Sequence, residues 1–238
     1  MRKGIAKYKM INEGDKIAVG VSGGKDSLVL LKLLAEYRRF SPERFELIAI
    51  TVDLAFDGKP HDFSHIESLC RDLDVPYFIE RTEIGQIVFD VRKESNPCAL
   101  CSKMRKGALY SLAKSKGCNK VAFGHHATDL TDTLLLSLLY EGRLSTFAPK
   151  SFLDRTELTL IRPMIYIEEC DVRAFSKDLP VTDSCCPANK NTKREYVKEL
   201  VKHISKDVPN VRDMLFTALI HPERYNLFDK FEDQIHKI

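Results

Sequence analysis

Between residues 16 and 141, short apolar runs alternate with longer segments whose apolar residues recur at helical spacing. The apolar runs have the length of buried strands and lie at 16–21, 45–52, 76–80 and 119–124. The segments with helical spacing are 25–39, 61–73, about 99–116 and 127–141. An alternation of strands and helices with mostly short links predicts a parallel sheet with helices on both faces.

Beyond Gly142 the alternation becomes less regular. Leu158–Ile161 is typical of an edge strand. Further helices are predicted near 168–178, 191–206 and 209–220. The chain of 238 residues is long enough for one full core. We expect an α/β domain over residues 1–150, which includes the Cys98–Cys101 segment, and a C-terminal helical portion over residues 151–238.

The composition is that of a globular protein, with 44% hydrophobic and 30% charged residues. No apolar run approaches membrane-spanning length, and no hydrophobic signal segment follows Met1–Gly4. We therefore expect a cytoplasmic protein without a membrane partner. The net charge of +3 permits nucleic-acid binding without requiring it. Seven cysteines in a reducing compartment favour metal binding or redox chemistry over a disulfide framework.

The first strand candidate runs directly into Ser22-Gly23-Gly24-Lys25-Asp26-Ser27, and a helical pattern follows at once. Two adjacent glycines without Cβ atoms let backbone N–H groups approach phosphate oxygens closely. The start of the helix adds unpaired amides and the positive end of its dipole. Ser22 and Ser27 supply hydroxyl donors, and Asp26 is suited to hold a magnesium ion through water. The alternative is a turn that merely joins strand to helix.

This loop differs from two commoner phosphate-binding motifs. A Walker-type P-loop needs Gly-x-x-x-x-Gly-Lys-Ser/Thr, but Lys25 stands where the second glycine would be, counted from Gly20. The Gly-x-Gly spacing of dinucleotide-binding folds is also missing. The segment closely resembles the SGGxDS signature of the PP-loop, or N-type ATP pyrophosphatase, superfamily. Those enzymes hold the β,γ-pyrophosphate as a leaving group while a substrate oxygen attacks the α-phosphorus.

Other polar residues fall at the predicted carboxyl ends of strands, where open α/β sheets bind their ligands. Asp53 follows one strand and either contacts the nucleotide or caps the helix after it. Gly124-His125-His126 ends another strand, and Asp129 lies in the first turn of the next helix. The histidines and Asp129 either contact phosphate and magnesium or form local helix caps. A phosphate-binding loop at the same sheet edge favours the functional interpretation.

Two cysteine-containing segments are candidates for one metal centre. Cys98-Ala99-Leu100-Cys101 places two thiols about one helical turn apart, and Cys185-Cys186 directly precedes Pro187. Three thiolates suit a cubane iron–sulfur cluster with one open iron, whereas a closed zinc site lacks ligands. A structural, redox-active or accidental Cys-x-x-Cys is the alternative. The other cysteines are expected to be buried small hydrophobic residues: Cys70, Cys118 and Cys170.

Basic residues follow both cysteine segments, at the place where a phosphate backbone would run if the substrate were RNA. Their usual meaning is a solvated helix face, and that alternative stays open. These residues are Lys103, Arg105, Lys106, Lys190, Lys193, Arg194 and Lys198.

Taken together, these motifs resemble the tRNA 2-thiocytidine synthetase (TtcA-like) family of the PP-loop superfamily, over nearly the whole chain. The resemblance begins at Met10–Ile17 and includes the glycine loop, the Cys-x-x-Cys and the Gly-His-His segment. Further segments that share it are Tyr140–Leu144, Pro149–Lys150, Ile161–Met164 and Asn226–Asp229. The glycine loop alone indicates the superfamily, whereas the cysteines together with the Arg-Pro segment are far more specific.

The resemblance implies an open, parallel, five-stranded sheet of the adenine nucleotide alpha hydrolase type, with a small C-terminal helical part and often a homodimer. It implies ATP, Mg²⁺ and a [4Fe-4S] cluster as cofactors and tRNA as the partner. In that chemistry a base carbonyl oxygen is adenylated with release of pyrophosphate, and sulfide then displaces AMP. A cysteine desulfurase-type donor or inorganic sulfide supplies the sulfur.

The resemblance also implies a role for each motif residue. The residues of the glycine loop, Ser22, Gly23, Gly24, Lys25, Asp26 and Ser27, bind the nucleotide; Asp53 and Gly124 are added as nucleotide-binding candidates from their places at strand ends. The catalytic residues are Asp26, His125 and Asp129, and the cluster ligands are Cys98, Cys101 and Cys186. The chain departs from many relatives in having two adjacent thiols at the third ligand position. Cys186 is assigned because related sequences place the ligand directly before Pro187, which leaves Cys185 as a spare thiol or a sulfur relay.

Three other functions compete with cytidine thiolation in the anticodon loop. The same machinery acting on another tRNA base, such as uridine, is the nearest. A PP-loop ATP pyrophosphatase or ligase acting on a small molecule would leave the cysteines unused, and the chain lacks the length for a glutaminase domain. A non-catalytic nucleotide- or metal-binding module is disfavoured because Asp26 and Ser27 are intact.

Overall fold

The structure is a computed structural model that describes residues 1–56, 59–92, 97–182, 186 and 193–225. The chain forms two compact units: Met1–Ala127 with Ala148–Lys190, and Thr128–Phe147 with Asn191–Ile238. The predicted domains, 1–150 and 151–238, stay a prediction, because compact units of this kind are not domain boundaries. Cys185 and the Asn226–Asp229 segment lie outside the described residues. No helix in the described ranges is long and apolar enough to cross a membrane.

The sheet lies in the first unit, and its described strands are β1 (Asp15–Gly20), β2 (Phe45–Asp53), β3 (Tyr77–Arg81), β4 (Lys120–Ala122), β5 (Lys150–Leu153) and β6 (Leu158–Ile161). They are ordered β3-β2-β1-β4-β6-β5, and every neighbouring pair except β6 and β5 is parallel. The order reverses between β1 and β4. A reversal of this kind opens a crevice at the carboxyl ends of the two strands.

The described helices of the first unit are α1 (Arg2–Lys7), α2 (Lys25–Arg38), α3 (Ser64–Asp72), α4 (Ile84–Gln86), α5 (Pro97–Ser115) and α7 (Glu169–Phe175). A π-helical turn, Ile87–Val91, follows α4. The helices that belong mainly to the second unit are α6 (Ala127–Glu141), α8 (Lys193–Ile204) and α9 (Val211–Ile220), and a 3₁₀ turn, Pro222–Arg224, follows α9.

The predicted α/β fold with parallel strands and helices on both faces is confirmed, and the sheet has one strand more than the five expected. The additional strand is β5, which pairs in an antiparallel direction with Lys150 opposite Ile161. Its sequence, Lys-Ser-Phe-Leu, lacks the apolar run that identifies the other strands. Its Phe152 is 61% exposed. Leu158–Ile161, predicted as an edge strand, therefore lies inside the sheet between β4 and β5.

A buried ion pair joins β1 to β4 at the amino ends of these strands. Lys120 Nζ lies 2.5 Å from Asp15 Oδ2 and also donates to the Met10 carbonyl at 2.8 Å. Both side chains are only 4% exposed. Asn119 Nδ2 donates to the other Asp15 oxygen, so both carboxylate oxygens are satisfied. Buried charges are tolerated when they are paired and hydrogen-bonded in this way.

The second unit is helical, and ion pairs connect its elements. Arg194 Nη1 of α8 donates to Asp129 Oδ1 of α6 at 2.9 Å. Arg212 Nη1 of α9 donates to Asp132 Oδ1 at 3.0 Å. Burial raises the pKa of Asp132, although the hydrogen bond and charge of Arg212 oppose that shift. These pairs fix α8 and α9 to the polar side of α6.

Candidate active site

The loop between β1 and α2 has the conformation that its two glycines permit. Gly23 has a φ of +82°, which L side chains rarely adopt, and Gly24 is the extended residue that precedes the first turn of α2. The Ser22 N–H donates to Ser27 Oγ at 3.1 Å, and the Ser27 hydroxyl donates to the Gly24 carbonyl at 2.9 Å. The loop is thus closed on itself around the amino end of α2.

Close contacts leave no room for a Cβ at two glycines of this region. A Cβ on Gly23 would lie 2.4 Å from Thr182 Oγ1, and the Thr182 N–H donates to the Gly23 carbonyl. A Cβ on Gly124 would lie 2.6 Å from the Asp26 carbonyl oxygen. The carboxyl end of β4 therefore touches the first turn of α2, and Thr182 touches the loop from another side.

Side chains from α2, from α7 and from the segment after β4 meet at the start of α2. Lys25 Nζ lies 2.7 Å from Asp26 Oδ1 and 3.3 Å from Glu169 Oε1 of α7. His126 Nε2 lies 3.5 Å from the same Asp26 oxygen, and its side chain is only 3% exposed. Arg173 Nη2 also contacts Glu169, at 3.1 Å. The ammonium group of Lys25 is therefore held between two carboxylates beside the phosphate-binding loop.

The electrostatics keep Lys25 protonated. Burial lowers the pKa of its ammonium group, but hydrogen bonds and charges from Asp26 and Glu169 outweigh burial, and the net shift is upward. A permanent positive charge next to a ring of backbone amides suits an anionic ligand such as a polyphosphate.

The Asp53 carboxylate, at the end of β2, binds residues of the segment that follows β2 and of β3. Its side chain is only 1% exposed, and it accepts hydrogen bonds from His61 Nδ1 and from Arg81. The backbone N–H groups of Ala55 and His61 also donate to it. Burial raises the pKa of Asp53, but the hydrogen bonds from His61 and Arg81 outweigh it, so the net pKa lies below the ordinary value. Its predicted contact with the nucleotide stays a prediction.

We expect the Asp53→Asn variant to lose about 2 kcal/mol of unfolding free energy at pH 7, because the substitution removes a buried charge from four donors. The pKa of Asp53 is lower in the folded protein than in the unfolded chain. The stabilisation is therefore present above the unfolded value of about 3.9 and is lost as pH falls through the folded value. Urea unfolding of both proteins at pH 7 and pH 3 checks this, and a pH-independent difference would contradict it.

The remaining candidate residues around the Gly-His-His segment lie in two places. His125 is half-buried and meets Phe123 edge-to-face, with ring centroids 5.9 Å apart. Asp129 belongs to the second unit, where it is paired with Arg194. Within the first unit, the contact to Asp26 comes from His126. The catalytic roles of Asp26, His125 and Asp129 stay predictions.

Two residues at the loop, Glu169 and Thr182, were not identified from the sequence. His126 was one of the two histidines predicted at this edge, but the catalytic role was assigned to His125. Glu169 and Thr182 are far from the loop in sequence and carry no motif that would mark them. They reach the loop only because the chain returns to the same sheet edge after β6.

Two of the candidate cysteines, Cys98 and Cys101, lie at the start of α5, and the charge of the third, Cys186, acts on Cys101. Cys98 is exposed, Cys101 is buried, and Cys186 is half-buried. Burial raises the pKa of Cys101; Arg105 lowers it, and the charges of Cys186 and Cys98 raise it further. The three thiols are thus close enough to interact electrostatically. Within the described ranges, however, no group of three or more His, Cys, Asp or Glu side chains is arranged to hold a metal ion.

The other cysteines differ in burial. Cys70 and Cys118 are buried, as predicted, and burial raises their pKa to about 12 and about 11. The prediction for Cys170 is wrong, because its side chain is exposed. The reason is that α7 buries only Val172, so that Cys170 lies on the opposite side of a short helix.

A concentration of positive charge lies beside the thiols. Burial lowers the pKa of Lys106, and the charges of Arg162 and Arg105 lower it further. Arg162 is itself 8% exposed and donates to the Ala148 carbonyl. Burial also lowers the pKa of the Arg162 guanidinium, while Tyr110 opposes the shift. Mutual repulsion of three cations favours the binding of a phosphate group nearby.

A parallel sheet with a glycine loop at its switch point, followed by a helix that begins Lys-Asp-Ser, defines a PP-loop protein of the ATP-using class. The model of the PP-loop domain family matches residues 2–204. A tRNA-cytidine(32) 2-sulfurtransferase from Syntrophotalea carbinolica is 41% identical over 95% of this chain and 89% of its own length. The same enzyme from Citrifermentans bemidjiense is 39% identical over 96% and 91%. The chain belongs to this family of tRNA-cytidine(32) 2-sulfurtransferases within the PP-loop proteins.

One solved structure shows the same fold. The U34-tRNA thiolase NcsA from Methanococcus maripaludis, solved with its [4Fe-4S] cluster, superposes with a TM-score of 0.75. The two proteins are 24% identical, and the match covers 94% of this chain and 78% of the thiolase. At that identity the likeness establishes the fold.

Proposed function

We propose that this enzyme uses ATP to replace the 2-oxygen of cytidine 32 in tRNA with sulfur. The observation that carries the proposal is that the glycine loop, Asp26 and three interacting thiols occur in one compact unit. That unit belongs to a chain 41% identical to a tRNA-cytidine(32) 2-sulfurtransferase. An ATP ligase for small molecules would have no use for the thiols.

In the first step, the loop holds ATP. The amides of Gly23 and Gly24, the hydroxyl of Ser22 and the ammonium of Lys25 bind the β,γ-phosphates. Asp26 holds Mg²⁺ through water, and the ion supplies charge neutralisation when bound. His126 Nε2, at 3.5 Å from Asp26, orients that carboxylate. These residues stabilise pyrophosphate as it leaves, which is electrostatic catalysis by preorganised groups.

The chemical sequence balances with ATP and sulfide. The cytosine O2 attacks the α-phosphorus, so that an O–P bond forms while the bond from the α-phosphorus to pyrophosphate breaks. C2 becomes electrophilic because its oxygen is now part of a good leaving group. Sulfide forms the C–S bond as the C–O bond breaks, and the original oxygen departs with AMP.

Cys98, Cys101 and Cys186 are the residues that would hold a [4Fe-4S] cluster. Their chemistry fits, since three soft thiolates leave one iron of a cubane open, and the charges of Cys98 and Cys186 act on Cys101. When bound, such a cluster supplies a site for the sulfur atom to be transferred. A cysteine desulfurase-type donor or inorganic sulfide is proposed as its source. The homodimer and the cytoplasmic location are proposed on the family resemblance alone.

The test is ATP-dependent thiolation by anaerobically purified, reconstituted enzyme, with nucleoside mass spectrometry as the readout. The substrate is a tRNA transcript with cytidine at position 32, and the matched control has uridine there. We expect 2-thiocytidine only in the first transcript and only with ATP. A thiouridine product would instead support the uridine-modifying alternative, and no thiolated base would contradict a tRNA sulfurtransferase.

A further inference from the structure

A basic surface with two stacked tyrosines lies on α1 and the residues after it. The first twelve positions contain no aspartate or glutamate, since the first acidic residue is Glu13. We name the surface formed by Arg2, Lys3, Lys7, Tyr8, Lys9 and Tyr166 the α1 face. All four of its basic side chains are exposed. In the part of the chain that the structure describes, none of the four is paired with a carboxylate.

The two tyrosines form an aromatic centre for these cations. The Tyr8 and Tyr166 rings stack with centroids 6.3 Å apart and planes 18° apart, and their hydroxyls lie 3.2 Å apart. Lys3 Nζ lies 5.2 Å from the Tyr166 centroid. Lys7 Nζ lies 5.5 Å from the Tyr8 centroid and 5.9 Å from the Tyr166 centroid. Cation–π attraction thus orders lysine side chains that would otherwise be free in solvent.

Close packing fixes the α1 face to the segment that leads to the active site. A Cβ on Gly4 would lie 3.3 Å from Tyr166 Cδ2 and 3.4 Å from the Pro163 carbonyl oxygen. One residue after Tyr166, the Ile167 carbonyl accepts the Ala127 N–H, next to His126. Three residues after Tyr166, Glu169 contacts Lys25. The segment Tyr166–Glu169 therefore connects the α1 face to Ala127 and to Lys25.

A lysine from β5 adds to the positive charge at the end of α1. Lys150 Nζ of β5 donates to the Lys9 carbonyl at 2.6 Å. Burial lowers the pKa of Lys150, and the charges of Lys120 and Lys9 add to that shift while Asp15 opposes it. Positive groups are thus brought together here although their mutual repulsion costs free energy. An anionic partner would relieve that repulsion.

We propose that the α1 face binds the phosphodiester backbone of the tRNA substrate, with the Tyr8–Tyr166 pair as a surface for an unpaired base. This inference rests on the proposed function, and it assigns to the first unit a tRNA contact outside the catalytic loop. Lysines beside stacked aromatic rings match single-stranded RNA, which offers phosphates and exposed base faces together. A membrane surface is a poorer partner for the α1 face, because Ile5, the apolar side chain that α1 would have to insert, is only 3% exposed.

The experiment measures tRNA binding by the holoenzyme over a range of salt concentrations. We expect the K3A/K7A double variant to raise the Kd for tRNA about tenfold at physiological salt and to lower the salt slope by about 1.5, since each phosphate contact contributes 0.7–0.9. The KM for ATP should be unchanged. Lys116→Ala is the matched control, because Lys116 is also exposed and lies 4.1 Å from the Phe78 centroid.

The Tyr166→Phe and Tyr166→Ala variants separate stacking from hydrogen bonding. Tyr166→Phe should bind tRNA within about twofold of wild type, because the ring remains, and Tyr166→Ala should lose about tenfold in affinity, because the ring on which a base would stack is gone. If K3A/K7A binds tRNA with the affinity and salt slope of the wild-type enzyme, the inference is overturned. Thiolation by the wild-type enzyme would still support the proposed function in that case. If the wild-type enzyme neither binds nor thiolates tRNA, both fail.

Discussion

Replacing Asp26 by asparagine is expected to lower kcat for tRNA thiolation roughly 100-fold, with little change in thermal stability. Asparagine keeps the shape of the side chain but removes the charge that lies 2.7 Å from Lys25 and 3.5 Å from His126. The Asp26 side chain is 40% exposed, so the fold does not depend on its burial. The loss should arise from the adenylation step, because pyrophosphate is no longer stabilised as it departs.

The matched control for this prediction is Glu36→Gln on the same helix. Glu36 is exposed, and its Oε2 lies 3.4 Å from Arg39 Nη1 at the end of the same helix. That variant should retain full thiolation and the same thermal stability. The measurement is initial-rate thiolation with varied ATP, together with tRNA-dependent exchange of pyrophosphate into ATP. Asp26→Asn with wild-type kcat would remove Asp26 from the proposed catalytic residues.

Replacing Cys186 by alanine is expected to abolish the iron–sulfur centre, while replacing the exposed Cys170 by alanine leaves it intact. Cys186 is half-buried and its charge acts on Cys101, whereas Cys170 contacts Glu168, the residue before α7. The Cys186→Ala variant keeps two of the three candidate thiols, so a cubane cluster would lack one of its three protein ligands. Iron and acid-labile sulfide per chain should fall from about four each to near zero.

The adjacent thiol provides a sharper version of the same test. Cys185 lies outside the described residues, so the choice between the two thiols rests on the resemblance to related sequences. Cys185→Ala should retain iron, sulfide and the visible absorption of the reconstituted protein. The reverse pattern, a cluster kept by Cys186→Ala and lost by Cys185→Ala, would move the third ligand by one position. Metal content distinguishes these outcomes without an activity assay.

The parts of the fold that were predictable are those specified by local pattern. The apolar run of β1, the glycines after it and the helical spacing of α2 are contiguous, so strand, turn and helix were each predicted in place. The helix expected from residue 61 begins at Ser64 instead, and Asp53 at the end of β2 binds both the backbone N–H and the ring of His61 ahead of that helix. Helical spacing does not report this contact.

The candidate site also has parts that the local sequence predicts and parts that depend on the packing of distant segments. The glycine loop is a local motif, and Gly23 within it and Gly124 beside it are positions where a Cβ has no room. The groups that complete its surroundings, Glu169 and Thr182, arrive from more than a hundred residues away. Their positions depend on how β6 and the segment after it pack, and periodicity does not report such packing. The α1 face was missed because four exposed cations in nine residues are ordinary until Tyr166 is placed beside them.

The enclosed ammonium group of Lys120 gives the protein an internal reporter for chemical footprinting. An amine-directed acylating reagent should modify Lys3 and Lys7 rapidly in the native state, because both are exposed. Lys120, held by Asp15 and the Met10 carbonyl, should react only when the sheet opens. The slow labelling of Lys120 therefore records global unfolding in the same sample in which protection of Lys3 and Lys7 by tRNA is measured.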